Sequence, residues 1–147
     1  MKIKFFFTRI FLIFLFLTTS VQANKSSYFL EGKKLFEKND FEKSKFLFEK
    51  DIVFNPKNER SYLYLAKIFN KNENEDEEEK NLDNVLLLNP KNEEAIYMLS
   101  LLKIKQSNYE EAKNLITTFD LVCNSFCSKK KEINDKFKEL FPDNDKE

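Results

Sequence analysis

Apolar residues recur along the chain in short stripes at helical spacing, and polar pairs separate the stripes. Tyr28, Gly32, Leu35 and Phe36 share one helix face, and Phe41, Phe48 and Ile52 share the next. Between them Asn39-Asp40 reads as a turn, with Asp40 placed to cap a helix that begins at Phe41. That second stripe stops at Asn55-Pro56, because proline offers no N–H and restricts the residue before it. The pattern then restarts. Tyr62, Leu65, Ala66 and Phe69 precede a polar stretch at residues 70–74, and Leu82, Val85 and Leu86 lead to Pro90. A third round runs through Ile96, Leu99 and Ser100, turns at Gln106-Ser107-Asn108, and continues with Tyr109, Ala112, Ile116 and Phe119.

The rounds keep a fixed step. Val53-Phe54-Asn55-Pro56-Lys57-Asn58 is echoed by Leu87-Leu88-Asn89-Pro90-Lys91-Asn92, with the two prolines 34 residues apart. The same step links Gly32, Ala66 and Ser100, small residues where paired helices must approach closely. From Pro90 it reaches Asn124, so the units span 25–58, 59–92 and 93–126. Spacing and residue types together resemble the tetratricopeptide repeat. Tyr62, Leu65, Ala66, Phe69, Leu82 and Pro90 carry the resemblance in the second unit. Tyr28, Gly32, Leu35, Ser44, Phe48 and Pro56 carry it in the first, and Ile96, Leu99, Ser100, Ala112 and Ile116 in the third. The departures are Glu31 for Leu, Glu78 for a small residue, Lys103 for an aromatic and Asn124 for proline. The resemblance implies an all-α fold, a right-handed α-α superhelix of about three helix pairs. An unrelated array of helical hairpins is the alternative.

After the third unit, Phe126, Lys130, Ile133, Phe137, Leu140 and Phe141 form an amphipathic stripe that Pro142 ends. This predicts a capping helix over 127–141, covering the last apolar face of the array, with 142–147 as a flexible tail.

The first residues bear on the compartment. Lys2, Lys4 and Arg9 precede the apolar run from Ile10 to Leu17, and small residues follow up to Ala23. A basic start, a short apolar core and small residues before a break predict a signal peptide over 1–23, cut after Ala23. An uncleaved signal anchor in the inner membrane is the alternative. The expected localisation is exported, periplasmic in an envelope with two membranes. Lys and Arg together number 25, as do Asp and Glu, and the leader takes three bases, leaving about −3. That balance does not favour nucleic acid.

Candidate chemistry is sparse. The chain has no His and one Gly, so it lacks the commonest general base and any glycine-rich phosphate loop. No catalysis, cofactor, metal or small-molecule substrate is expected. Cys123 and Cys127 are the only cysteines and flank the corner that lacks a closing proline, which suggests a disulfide in an exported chain. Reduced thiols or a redox pair are the alternatives, and two thiols do not complete a zinc site. The acidic run from Glu73 to Glu79 reads as a solvated helix start, with a weak cation or basic-partner patch as the sharper reading.

The resemblance implies that first helices line a concave face where peptides or partner helices dock. Helical phase places Phe29, Leu30, Lys33, Phe36 and Glu37 there, then Leu63, Tyr64, Lys67, Asn70 and Lys71, then Tyr97, Met98, Leu101, Ile104 and Lys105. The expected partner-binding set is Phe29, Lys33, Phe36, Leu63, Tyr64, Lys67, Tyr97, Met98, Leu101 and Ile104. Lys33 and Lys67 would hold an acidic group of the ligand. The Asn residues of the clamp that other tetratricopeptide domains close on a C-terminal carboxylate are missing here. The expected function is thus an adaptor for a protein or peptide of the cell envelope. Closure of the groove on a second copy, as a homo-oligomer, and plain core packing are the alternatives.

Overall fold

The computed structural model describes residues 27–142; the leader, its cut near Ala23 and the tail from 143 lie outside the described residues. Seven α-helices and one short 3-10 turn make up the described chain, with no strand among those residues. They are α1 (Ser27–Glu37), α2 (Phe41–Phe54), α3 (Glu59–Lys71), α4 (Glu75–Leu88), α5 (Glu93–Lys105), α6 (Tyr109–Val122), the 3-10 turn Cys127–Lys129, and α7 (Lys130–Leu140). The helices pair as α1–α2, α3–α4 and α5–α6, and each pair packs on the next. The predicted capping helix is shorter at its start, because the Cys123–Cys127 corner holds the first residues in the tighter turn.

Starts and turns follow local chemistry. Asp40, Asn74, Asn92 and Asn108 each accept from a backbone N–H three residues on, satisfying one orphan donor of the following helix. Within each pair the turn passes through one left-handed residue at the same repeat position, Asn39, Glu73 or Ser107 (φ 61°, 55° and 57°).

Helix approach explains the aligned small residues. A Cβ built on Gly32 would lie 2.9 Å from the Phe48 ring, which is itself fully buried. One and two repeats on, Ala66 and Ser100 take the place of Gly32 while Leu82 and Ile116 take the place of Phe48, all of them buried. The largest partner therefore goes with the smallest residue, as close packing requires. Ser44 Oγ donates to the Gly32 carbonyl at 2.9 Å and ties the first pair together.

The core falls into three clusters stacked along the array. The first gathers Phe29, Phe48, Leu65, Ile68 and Phe69, with Phe36, Phe41 and Tyr64 packed against it. The second centres on Leu63, Ala66, Leu82, Val85, Ala95, Leu99 and Leu102. The third joins Ile104, Ala112 and Ile116 to Ile133 and Phe137 of α7. Where an aromatic is expected, Lys103 is buried and reaches Glu79 on α4 at 2.6 Å and Glu111 on α6 at 3.2 Å. The two carboxylates offset the burial of the ammonium and hold its pKa above the usual value.

Candidate functional site: the concave groove

Two open clefts of about 540 and 340 Å³ run along the side lined by the first helices. They share Asn70, Glu78 and Leu101, so they form one groove. Phe36, Lys67, Lys71 and Met98 wall one end, and Ile104, Lys105, Lys136 and Leu140 the other.

The structure divides the expected partner-binding residues. Phe36, Lys67, Tyr97, Met98 and Leu101 line the groove and are half-buried. Tyr64 stands behind Phe36, with its ring at 5.0 Å from Phe36 and 5.0 Å from Phe48. Phe29 and Leu63 are corrections: both are buried in the core rather than displayed. Phe29 packs edge-on to Tyr64 and lies beneath the Arg60 guanidinium, while Leu63 belongs to the middle cluster. Ile104 is a partial correction, since it borders the groove but is 3% exposed and packs on α7.

The lysines are also differently engaged than expected. Lys67 pairs with Glu94 at 2.8 Å and lies over the Tyr64 ring at 4.8 Å. Lys33 pairs with Glu37 one turn along its own helix at 3.6 Å. Both cations therefore face an acid of this chain, and neither is a bare receptor for a ligand carboxylate.

The terminal helix changes the groove most. Besides capping the last pair, α7 leans on α5. Tyr97 donates its hydroxyl to Glu132 Oε1 at 2.7 Å, and its ring meets Phe126 at 6.1 Å and the Lys129 ammonium at 5.5 Å. Tyr97 is thus largely occupied by the chain's own end. Lys129 and then Tyr97, by hydrogen bonding, hold the Glu132 carboxyl down at about 2. Leu140, still more than half exposed, extends the groove wall, although the sequence pattern assigned it to the buried stripe.

The residues that phase reasoning missed are Glu78, Glu94 and the α7 wall. Glu78 left a signal, as an acid where its counterparts Ser44 and Ala112 are small. It is buried at the junction of the two clefts, and both its oxygens accept from Asn70 Nδ2, at 3.0 and 3.1 Å. Burial raises its pKa against the opposing effect of the Asn70 bonds.

Cys123 and Cys127 stand at bonding distance, with Cα atoms 5.2 Å apart, in the corner between α6 and α7. Glu93 at the start of α5 fixes the same corner, accepting from the N–H groups of Asn124 (2.7 Å) and Phe126 (2.8 Å).

No known family pattern matches the sequence, and no curated protein matches it. Solved structures do resemble the fold. The chain is similar to the TPR2B domain of yeast Sti1, solved in a pHsp70 complex, with a TM-score of 0.68 and 20% identity. That match covers 80% of this chain and 96% of the other. The Sgt2 TPR domain from Aspergillus fumigatus matches at TM-score 0.68 and 13% identity, over 85% of this chain and 86% of its own. A chain of the CopN–Scc3 complex matches at 0.67 and 18%, over 80% and 70%. The chain therefore carries the tetratricopeptide fold, a right-handed superhelix of three helix pairs closed by a terminal helix.

Proposed function

We propose that this protein is an exported adaptor that holds a peptide or helix of an envelope protein in its concave groove and catalyses no reaction. The observation that carries the reading is the continuous groove, with half-buried Phe36, Met98 and Leu101 set between charged side chains. Apolar pockets with a polar rim are what a docked amphipathic segment uses. The Sti1 domain and the CopN–Scc3 chain were solved as complexes, which supports a binding role for the same fold. The leader and the cysteine pair support export, with cleavage near Ala23 and a periplasmic home.

Leu101 lines both clefts, so it is the residue to change. Leu101→Asp is expected to abolish capture of a partner from envelope extract while circular dichroism shows the helices retained. Met98→Asp, which changes the wall at one end of the groove, is a second test of the same surface, with circular dichroism again checking the helices. Undiminished capture by both variants would remove the groove from the reading. Closure on a second copy is the alternative, and a concentration-dependent dimer that both substitutions dissolve would favour it.

A further inference from the structure

Among the described residues, the most exposed large apolar side chains fall at one repeat position. Val53, Leu87 and Leu121 are 75%, 80% and 82% exposed, each 34 residues from the next, in the last turns of α2, α4 and α6. Phe54 and Leu88 beside them are 48% and 37% exposed. Scattered apolar residues on a surface need no explanation, but a periodic row does.

Hydrogen bonds place the three rungs on one edge. Asn89, in the loop after the second rung, donates Nδ2 to Glu59 at 3.0 Å, just after the first rung's loop. Glu93, just after the second loop, grips the N–H groups of the third rung's corner. Tyr28 at the start of α1 stacks on Phe54 with ring centroids 5.7 Å apart, so the chain enters on the same edge.

The charges along this edge are asymmetric. The acids nearest the loops are engaged within the chain: Glu59 accepts from Asn89, Glu93 accepts from the corner N–H groups, and the exposed Asp120 pairs with Lys130 at 3.0 Å. Lys57 and Lys91 follow their apolar tips by four residues, are exposed, and make no ion pair among the described residues. Arg60 lies over the Phe29 ring with no carboxylate partner among the described residues. A second copy is a poor occupant, because a two-fold contact would set these unpaired cations against each other. Apolar tips beside uncompensated lysines are the chemistry of an interfacial membrane contact.

We propose that this edge docks reversibly on an anionic phospholipid bilayer. Val53, Leu87 and Leu121 enter the headgroup boundary, and Lys57 and Lys91 meet lipid phosphates. Ser27 opens α1 on this edge, so the described chain enters the domain on the side turned to the bilayer. The surface is separate from the groove and leaves it open to a partner.

The chain has no Trp, so Leu87→Trp supplies a single reporter in the full protein. Its emission is expected to shift to the blue on adding phosphatidylcholine vesicles that contain phosphatidylglycerol, and not with phosphatidylcholine alone. Asn72→Trp, in an exposed turn at the other end of the pairs, should not respond even if a retained leader binds the vesicles. Adding Lys57→Gln and Lys91→Gln to the Leu87→Trp chain should weaken the response by roughly 25-fold, about fivefold per lysine. An unresponsive Leu87→Trp, or equal shifts at both reporters, overturns the proposal. A shift that needs no lipid and grows with protein concentration also overturns it, in favour of a second copy.

Discussion

Asp51 is fully buried in the last turns of α2, and only one of its oxygens is satisfied among the described residues. Ser61 Oγ donates to Oδ2 at 2.5 Å and Asn58 Nδ2 donates to the same atom at 2.6 Å. One repeat further on the same two positions are Val85 and Ala95, equally buried and with nothing to hydrogen-bond. The fold thus closes one junction with a polar pair and the next with an apolar one. Removing a partner from a buried carboxylate costs its desolvation, whereas replacing both partners by apolar groups is close to neutral. Ser61→Ala alone is therefore expected to destabilise by about 2 kcal/mol. Asp51→Val with Ser61→Ala should return to within about 1 kcal/mol of the parent. Asn58 would be free to accept from the residue-61 N–H, as Asn92 does from Ala95 at 3.0 Å. Urea denaturation of the double-mutant cycle measures this; additive losses would contradict it. The sequence pattern did not reveal the network, because periodicity reports which positions are buried and not which buried atoms are paired.

At the scale of elements, the helix pairs were legible before the structure, since apolar stripes at helical spacing end at Asn-Pro stops and restart 34 residues later. The groove was legible only in part. Helical phase identifies a face, but it does not show that α7 leans on α5, because that depends on the angle of the cysteine corner. Hence helical phase leaves Tyr97 free for a partner, whereas the fold bonds it to Glu132, 35 residues away. The same contact makes the seating of α7 acid-sensitive. The ordinary Glu value is 4.5 and Lys129 and Tyr97 lower that of Glu132 to about 2, so folding favours the ionised form. The contribution is fully present above pH 4.5 and is lost as pH falls toward 2. Glu93 shifts in the same direction, held by the N–H groups of Asn124 and Phe126. Glu78 has the opposite sign, since burial raises its pKa and its protonation eases folding. Both side chains of the Glu132–Lys129 pair are more than a third exposed, so solvent screens most of this contribution and the effect on stability is small. Glu132→Gln should flatten the loss of stability between pH 4.5 and 2 that the parent shows by circular dichroism. An unchanged acid limb would assign that loss to other carboxylates.

For the whole molecule, stability is close to a sum of pair stabilities and the interfaces between them, so the ends decide how the array frays. The two internal junctions close through Pro56 and Pro90, and the third has Asn124 where the step calls for proline. The Cys123–Cys127 link and the three N–H groups on Glu93 stand in for it. In the chain-entropy account, a bridge closing so short a loop contributes about 2 kcal/mol. Because α7 contacts only the last pair and its own corner among the larger helix contacts, that contribution is local to this end of the array. Opening the bridge is therefore expected to free α7 before it unfolds the rest. In hydrogen exchange, Cys123→Ser with Cys127→Ser should speed the amides of α7 roughly 30-fold, the factor that 2 kcal/mol implies. Amides of α3 and α4 in the middle of the stack should keep their rates. With α7 released, Tyr97 and Leu101 would lose their cover, so the same variant should also widen the groove at α5. Uniform acceleration across all helices would instead mean that the array unfolds as one unit and that the corner braces the whole stack.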